Sequence, residues 1–297
     1  MMEYLSAIQF AEKFGISERT ARNYCASGKI EGAFLTGKTW NIPADAVLPQ
    51  RKATRKPMSP LLVMLREQKE SHLKGGIYHR TQIDLTYNSN HIEGSCLTHD
   101  QTRYIFETNT IGIAGETVNV DDIVETVNHF RCIDFIIDHA EEQVTESLVK
   151  QLHGLLKSST SDSRKEWFAV GDYKKLANEV GGQETCSPKE VHRQMKALLS
   201  DYNRCRRKTL AEILDFHVRF ERIHPFQDGN GRVGRLLMFK ECLANGIVPF
   251  IITDDLKLFY YRGLQEWGHV NGFLTDTCLT AQDQFRSLLD YFNVQYE

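Results

Sequence analysis

One segment constrains this chain more than any other: His224-Pro225-Phe226-Gln227-Asp228-Gly229-Asn230-Gly231-Arg232-Val233-Gly234-Arg235. Gly229 and Gly231 flank Asn230 directly before Val233, Leu236, Leu237, Phe239, Lys240 and Leu243, a helical spacing that stops at Asn245-Gly246. A glycine-rich turn opening a helix leaves backbone N–H groups unpaired at the positive end of the helix dipole, so the segment predicts an anion site. Arg232 and Arg235 are three apart, share a helix face and are expected to reach one polyphosphate. Asp228 offers a hard oxygen of the kind that holds Mg²⁺ between a protein and a nucleotide's phosphates. His224, across the turn, is the candidate general base. Alone, an Asp-Gly or Asn-Gly pair is usually just a turn; in this order the residues are the parts of a phosphoryl- or nucleotidyl-transfer site.

From about residue 61 the apolar spacing is helical. Ile123, Val127, Phe130, Ile133 or Asp134, and Ile137 form one stripe, and Leu148, Leu152, Leu155 and Leu156 another. Further helices are expected over 191–202, 211–223, 233–244, 255–267 and 281–292, with Ser187-Pro188 opening the first. Phe226 belongs with the core residues, and His217 reads as structural. No Rossmann or Walker pattern is present, which leaves the turn after His224 to hold a nucleotide. Residues 167–182 are bounded by glycine and lack a helical period.

The segment from His224 to Arg235 resembles the Fic family signature, HPFx[D/E]GNGRxxR, at every fixed position. The resemblance covers roughly residue 61 to the C-terminus and implies a mainly α fold, a Fic-type helical bundle with a small β-hairpin flap. It implies a protein adenylyltransferase that moves AMP from ATP, with Mg²⁺ or Mn²⁺, to a Tyr, Thr or Ser hydroxyl of a target protein. His224 would then be the base and Asp228 the metal ligand. Gly229, Asn230 and Gly231 would cradle phosphate, the Asn230 side chain serving as a further donor, and Arg232 and Arg235 would neutralise charge. The flap, expected at about 167–182, would clamp an extended piece of the target by strand addition.

A second stretch, Thr86 to Ser95, resembles the family's inhibitory motif [S/T]xxxE[G/N] through Ser89, Glu93 and Gly94. Ser89 and Glu93 stack on one face of a helix expected at about 84–94, and Gly94 is a natural stop. Glu93 is expected to pair bidentately with Arg235 and deny it to the nucleotide. Two other activities share the resemblance. Removal of AMP would use Glu93 to orient water. Phosphate transfer of the Doc type places Lys where this chain has Gly231, and Gly231 argues against it.

Residues 1–56 hold nine Lys or Arg against five acids, a net of +4 within a chain of formal charge −3. Leu5, Ile8, Phe10 and Ala11 suggest a short helix broken at Gly15; Ser17 caps a second through Cys25, and 33–43 alternates as a hairpin. This resembles winged helix-turn-helix modules, a small α/β unit over 1–48. In that resemblance Arg19, Arg22 and Asn23 lie on the recognition helix and Lys38 in the wing, with DNA as a partner and a nucleotide-sensing regulator as the alternative function. Residues 49–60 read as a linker before a catalytic domain over 61–297. Seven scattered cysteines without CxxC pairs predict reduced thiols in the cytoplasm and neither a disulfide framework nor a zinc site. No apolar run suits a membrane; a second copy of the chain is a further candidate partner.

Overall fold

The computed structural model describes residues 3–49, 59–112, 117–180 and 182–296. The chain divides into two compact units, residues 1–56 and 57–297. Most of the expected linker, residues 50–58, lies outside the described residues.

In the first unit, strand β1 (Tyr4–Leu5) precedes helices α1 (Ala7–Phe14) and α2 (Glu18–Ala26), and β2 (Phe34–Thr36) turns into β3 (Thr39–Pro43). The three strands form an antiparallel sheet in the order β1-β3-β2. Leu5 is a strand residue, paired with Ile42, rather than the first turn of a helix. The reason is Ser6, whose hydroxyl and the Gln9 side chain form a capping box that starts α1 one residue later. The buried stripe of α1 is therefore Ala7, Phe10 and Ala11, and Ile8 is exposed. Ser17 caps α2 through the Thr20 amide, as its sequence position predicts.

The second unit is helical: α3 (Pro60–Glu70), α4 (Ile77–Ile92), α5 (His99–Thr108), α6 (Val120–Asp138), α7 (Glu146–Lys157), α8 (Pro188–Tyr202), α9 (Leu210–Ile223), α10 (Asn230–Asn245), α11 (Lys257–Glu266) and α12 (Gly272–Tyr291). A two-stranded hairpin, β4 (Glu179–Val180) and β5 (Gln183–Glu184), stands between α7 and α8. It begins near the end of the expected flap, and residues 167–178 before it are irregular.

Helix α10 runs through the middle, packed on α4, α6, α7 and α9. Nearly every residue from Arg232 to Leu243 is buried, so this helix is enclosed on all sides and not amphipathic. Its apolar residues join two cores. Val233, Leu236, Leu237, Phe239 and Leu243 pack with α3, α6, α7 and α8, while Met238 and Cys242 pack with α11 and α12. The helix ends where Gly246 takes a left-handed conformation (φ 66°) and returns its N–H to Cys242 and Leu243. Burying the helix that opens on the glycine turn makes that turn a rigid platform.

Candidate active site

The site is the loop between α9 and α10. Helix α9 begins with a capping box between Thr209 and Glu212 and ends on His224, which sits at φ 51° with its N–H on Phe220 O at 2.9 Å. Few non-glycine residues adopt this left-handed cap, and here it turns the imidazole out of the helix direction. Phe226 is fully buried and stacks on His153 with ring centroids 3.9 Å apart. His153 holds the loop a second way. The Gly171 N–H donates to its Nδ1 at 3.0 Å, so Nε2 carries the proton and donates to Asp228 O at 3.2 Å. Burial depresses the His153 pKa to about 3, in keeping with this neutral form.

Asn230 closes the loop from inside. Its Oδ1 accepts from Phe226 N–H and its Nδ2 donates to Phe226 O, both at 2.8 Å, and the residue is buried. Oδ1 and one Nδ2 proton are thus engaged within the loop, and Asn230 shapes the turn. Gly229 at φ 81° is the N-cap, with no side chain capping α10, which leaves the first-turn amides to face the site. Replacing Asn230 with Ala strands the Phe226 N–H in the interior, the Phe226 C=O keeping its Asn178 donor, and should cost about 1–3 kcal/mol. A domain of this size loses roughly 2–4 °C of Tm per kcal/mol, so a thermal melt indistinguishable from wild type would refute the loop-closing role.

The two arginines do not converge on one point. Arg232 pairs with Glu125 of α6 and lies 3.3 Å from Asp228 Oδ2. Arg235 donates from Nε to Ser89 Oγ at 3.0 Å and from Nη2 to Ser89 O at 2.9 Å and Glu93 Oε1 at 2.7 Å. The Glu93 contact runs through a single pair of atoms and not the expected bidentate fork: Ser89 Oγ engages Nε, and the Ser89 carbonyl shares Nη2 with Glu93. Glu93 caps α4 just before Gly94 (φ 98°), so its side chain leaves the helix end toward α10. A Cβ on Gly231 would collide with Glu93 Oε1. The carboxylate therefore lies directly over the first turn of α10.

Asp228 is held by Lys157, whose Nζ is 2.6 Å from Oδ2 and which also pairs with Glu125. Lys157 is 2% exposed, whereas the Asp228 side chain is 47% exposed. Burial raises the Asp228 pKa, but Arg232 and Lys157 more than offset this and hold it at about 2. The stability this carboxylate contributes is present above its unfolded value of 3.8 and is lost as pH falls through about 2. At His224 burial, then the charge of Lys174, depress the pKa to about 4 against the Glu221 carbonyl, Glu93 and Asp228. Its Nδ1 is 3.3 Å from Glu221 O, so Nδ1 carries the proton and Nε2 is the acceptor.

His217 donates to or accepts from Tyr260 OH at 2.6 Å inside the core, in keeping with a structural reading. Arg19, Arg22, Asn23 and Lys38 are exposed on the first unit, with Arg22 paired to Glu18. Lys157, Glu125, His153 and Lys174 carry no sequence signal: each reaches the loop from a distant part of the chain.

Residues 143–242 match the Fic/DOC family model. Protein adenylyltransferase Fic of Nematostella vectensis is 25% identical over 188 residues, 62% of this chain and 42% of that protein. Its namesake in Drosophila melanogaster is 28% identical over 187 residues, 60% of this chain and 36% of that protein. The chain thus spans less than half the length of these curated relatives. Among solved structures, a Fic domain containing signaling protein from Bacteroides thetaiotaomicron aligns at TM-score 0.57 and 23% identity, covering 77% of this chain and 90% of that one. Fic-1 from C. elegans aligns at TM-score 0.59 and 19% identity, covering 78% and 72%. At these identities the structural likeness shows the fold.

Proposed function

We propose, for a chain that carries a Fic domain at residues 143–242, that it transfers AMP from ATP to a Tyr, Thr or Ser hydroxyl of a target protein and that Glu93 restrains it. The observation that carries this reading is the seat of the Glu93 carboxylate over Gly231, bonded to Arg235. A place at a helix N-terminus that takes a carboxylate and an arginine together is suited to a phosphate. The curated relatives' name, protein adenylyltransferase, supports the same chemistry.

In the mechanism, Glu93 leaves and Arg235 receives an outer phosphate of ATP. The amides of Gly229, Asn230 and Gly231 face the inner phosphates, with Arg232 behind them. The target hydroxyl oxygen forms a bond to the α-phosphorus as the bond to pyrophosphate breaks, and its proton passes to His224 Nε2. Asp228 fits a Mg²⁺ partner: it is ionised, half-exposed and fixed by Lys157. Among the described residues no group of three His, Cys, Asp or Glu could hold a metal, so phosphates and water would supply its other ligands. When bound, Mg²⁺ neutralises phosphate charge. The β4–β5 hairpin would take an extended piece of the target by main-chain hydrogen bonds. The seven cysteines are free, which suits the cytoplasm, and no helix among the described residues is long and apolar enough to cross a membrane.

The pH profile of AMP transfer by Glu93→Gly tests the role of His224. With its pKa depressed to about 4 while Glu93 favours the protonated form, the base form persists as pH falls, so the acid limb of kcat/KM in Glu93→Gly belongs at or below pH 4. An acid limb near the ordinary histidine value of about 6.5 would contradict a buried, neutral His224.

A further inference from the structure

Four buried cations surround the loop, and three of them have carboxylate partners: Lys157 with Glu125 and Asp228, Arg232 with Glu125, Arg235 with Glu93. Lys174 differs. It is 3% exposed, and its Nζ donates to Asn178 Oδ1 and Thr185 Oγ1, both at 2.6 Å. No described carboxylate pairs with it. A buried charge without a counter-ion is costly, and burial lowers the Lys174 pKa to about 8, which leaves it mostly charged at neutral pH.

The position explains what that charge can do. Asn178 and Thr185 are the residues on either side of the β4–β5 hairpin, so one ammonium ties both ends of the flap together. The same elements grip the catalytic loop. Lys174 N–H donates to Pro225 O at 2.9 Å, Asn178 Nδ2 to Phe226 O at 3.1 Å, and Leu176 N–H to Gln227 Oε1 at 3.3 Å. His224 is the residue immediately before Pro225.

We infer that Lys174 is a positioning residue of the transfer site: its ammonium ties the two ends of the flap hairpin together through Asn178 and Thr185, while its own N–H and the Asn178 side chain fasten that hairpin to the His224-Pro225-Phe226 loop. The inference rests on the AMP-transfer reading for its purpose, since a flap fixed to the catalytic loop holds a target hydroxyl against the base. His224 is faced by Lys174 from the pre-flap segment, Glu93 from the end of α4, Asp228 from its own loop and the Glu221 carbonyl from α9. Lys174 itself is faced by Cys186. Burial is the main cause that disfavours protonated His224; among the ionisable groups facing it, Glu93 and Asp228 favour the protonated form and Lys174 opposes it.

The experiment is an NMR titration of histidine-labelled protein without nucleotide, with the His224 signal assigned by its loss in His224→Asn. Lys174→Met removes the charge and the hydrogen bonds; Lys174→Gln removes the charge but keeps an N–H donor for Asn178 and Thr185. Both variants should raise the His224 pKa by about one unit. Amide exchange of residues 178–180 and 182–185 should quicken tenfold or more in Lys174→Met and less in Lys174→Gln. A folded Lys174→Met protein whose flap residues 178–180 and 182–185 exchange as in wild type would overturn the inference. Because the readout is taken on the free protein, absence of AMP transfer in the unmodified chain and in Glu93→Gly would overturn the functional reading separately.

Discussion

Glu93→Gly is expected to raise AMP transfer about a hundredfold over the unmodified chain, the scale of one charge-assisted hydrogen bond to a phosphate in a water-excluded site. Arg235 spends its guanidinium on Ser89 and Glu93, and it is 5% exposed. Removing the Glu93 carboxylate frees Nη2 for a phosphate and clears the space over Gly231, while Ser89 keeps the arginine oriented. The gain should appear in kcat together with tighter ATP binding. Calorimetric ATP affinity and initial rates check this directly. Equal rates and equal affinities in the two proteins would show that Arg235 is not sequestered. Loss of hydrolysis of AMP-modified protein in the same variant would instead assign Glu93 to orienting water.

Replacing His224 in the Glu93→Gly background should lower transfer by about 10²–10⁴-fold, the contribution of a positioned general base. ATP affinity should stay the same, because the imidazole faces the hydroxyl and not the phosphates in the proposed arrangement. His224 holds φ 51°, a conformation Asn tolerates better than Ala. His224→Asn therefore separates chemistry from cap strain. A rate within threefold of the parent, roughly 0.6 kcal/mol of barrier, would remove His224 from the reaction.

The helices and the anion turn are legible in the sequence because both depend on short-range pattern. Apolar spacing marks α6, α7 and α10, and Gly246 closes α10 where the sequence places its stop. The approach of Glu93 to Arg235 is legible only through the family resemblance, since no local rule joins residues 142 positions apart. Elsewhere tertiary partners decide. Asn230 reads as a phosphate donor on its type and position, yet Phe226 engages its Oδ1 and one Nδ2 proton. Arg232 and Arg235 share a helix face, yet Glu125 and Ser89 pull them to separate partners. Lys157 reaches Asp228 across 71 positions, and His153 and Lys174 look like ordinary helix and loop residues until the loop packs on them. Leu5 shows the same limit on a smaller scale, since one capping box moves it from helix to strand.

Transfer of the α-phosphorus of ATP to protein by this turn is distinguished from any other phosphoryl transfer by the position of the label in ATP. Glu93→Gly protein with Mg²⁺ and a cell lysate would be given ATP labelled at the α- or at the γ-phosphate, with Glu93→Gly/His224→Asn as control. Protein-bound label is expected from the α-position alone, abolished by the His224 substitution. Label from the γ-position, or no label from either, would contradict AMP transfer.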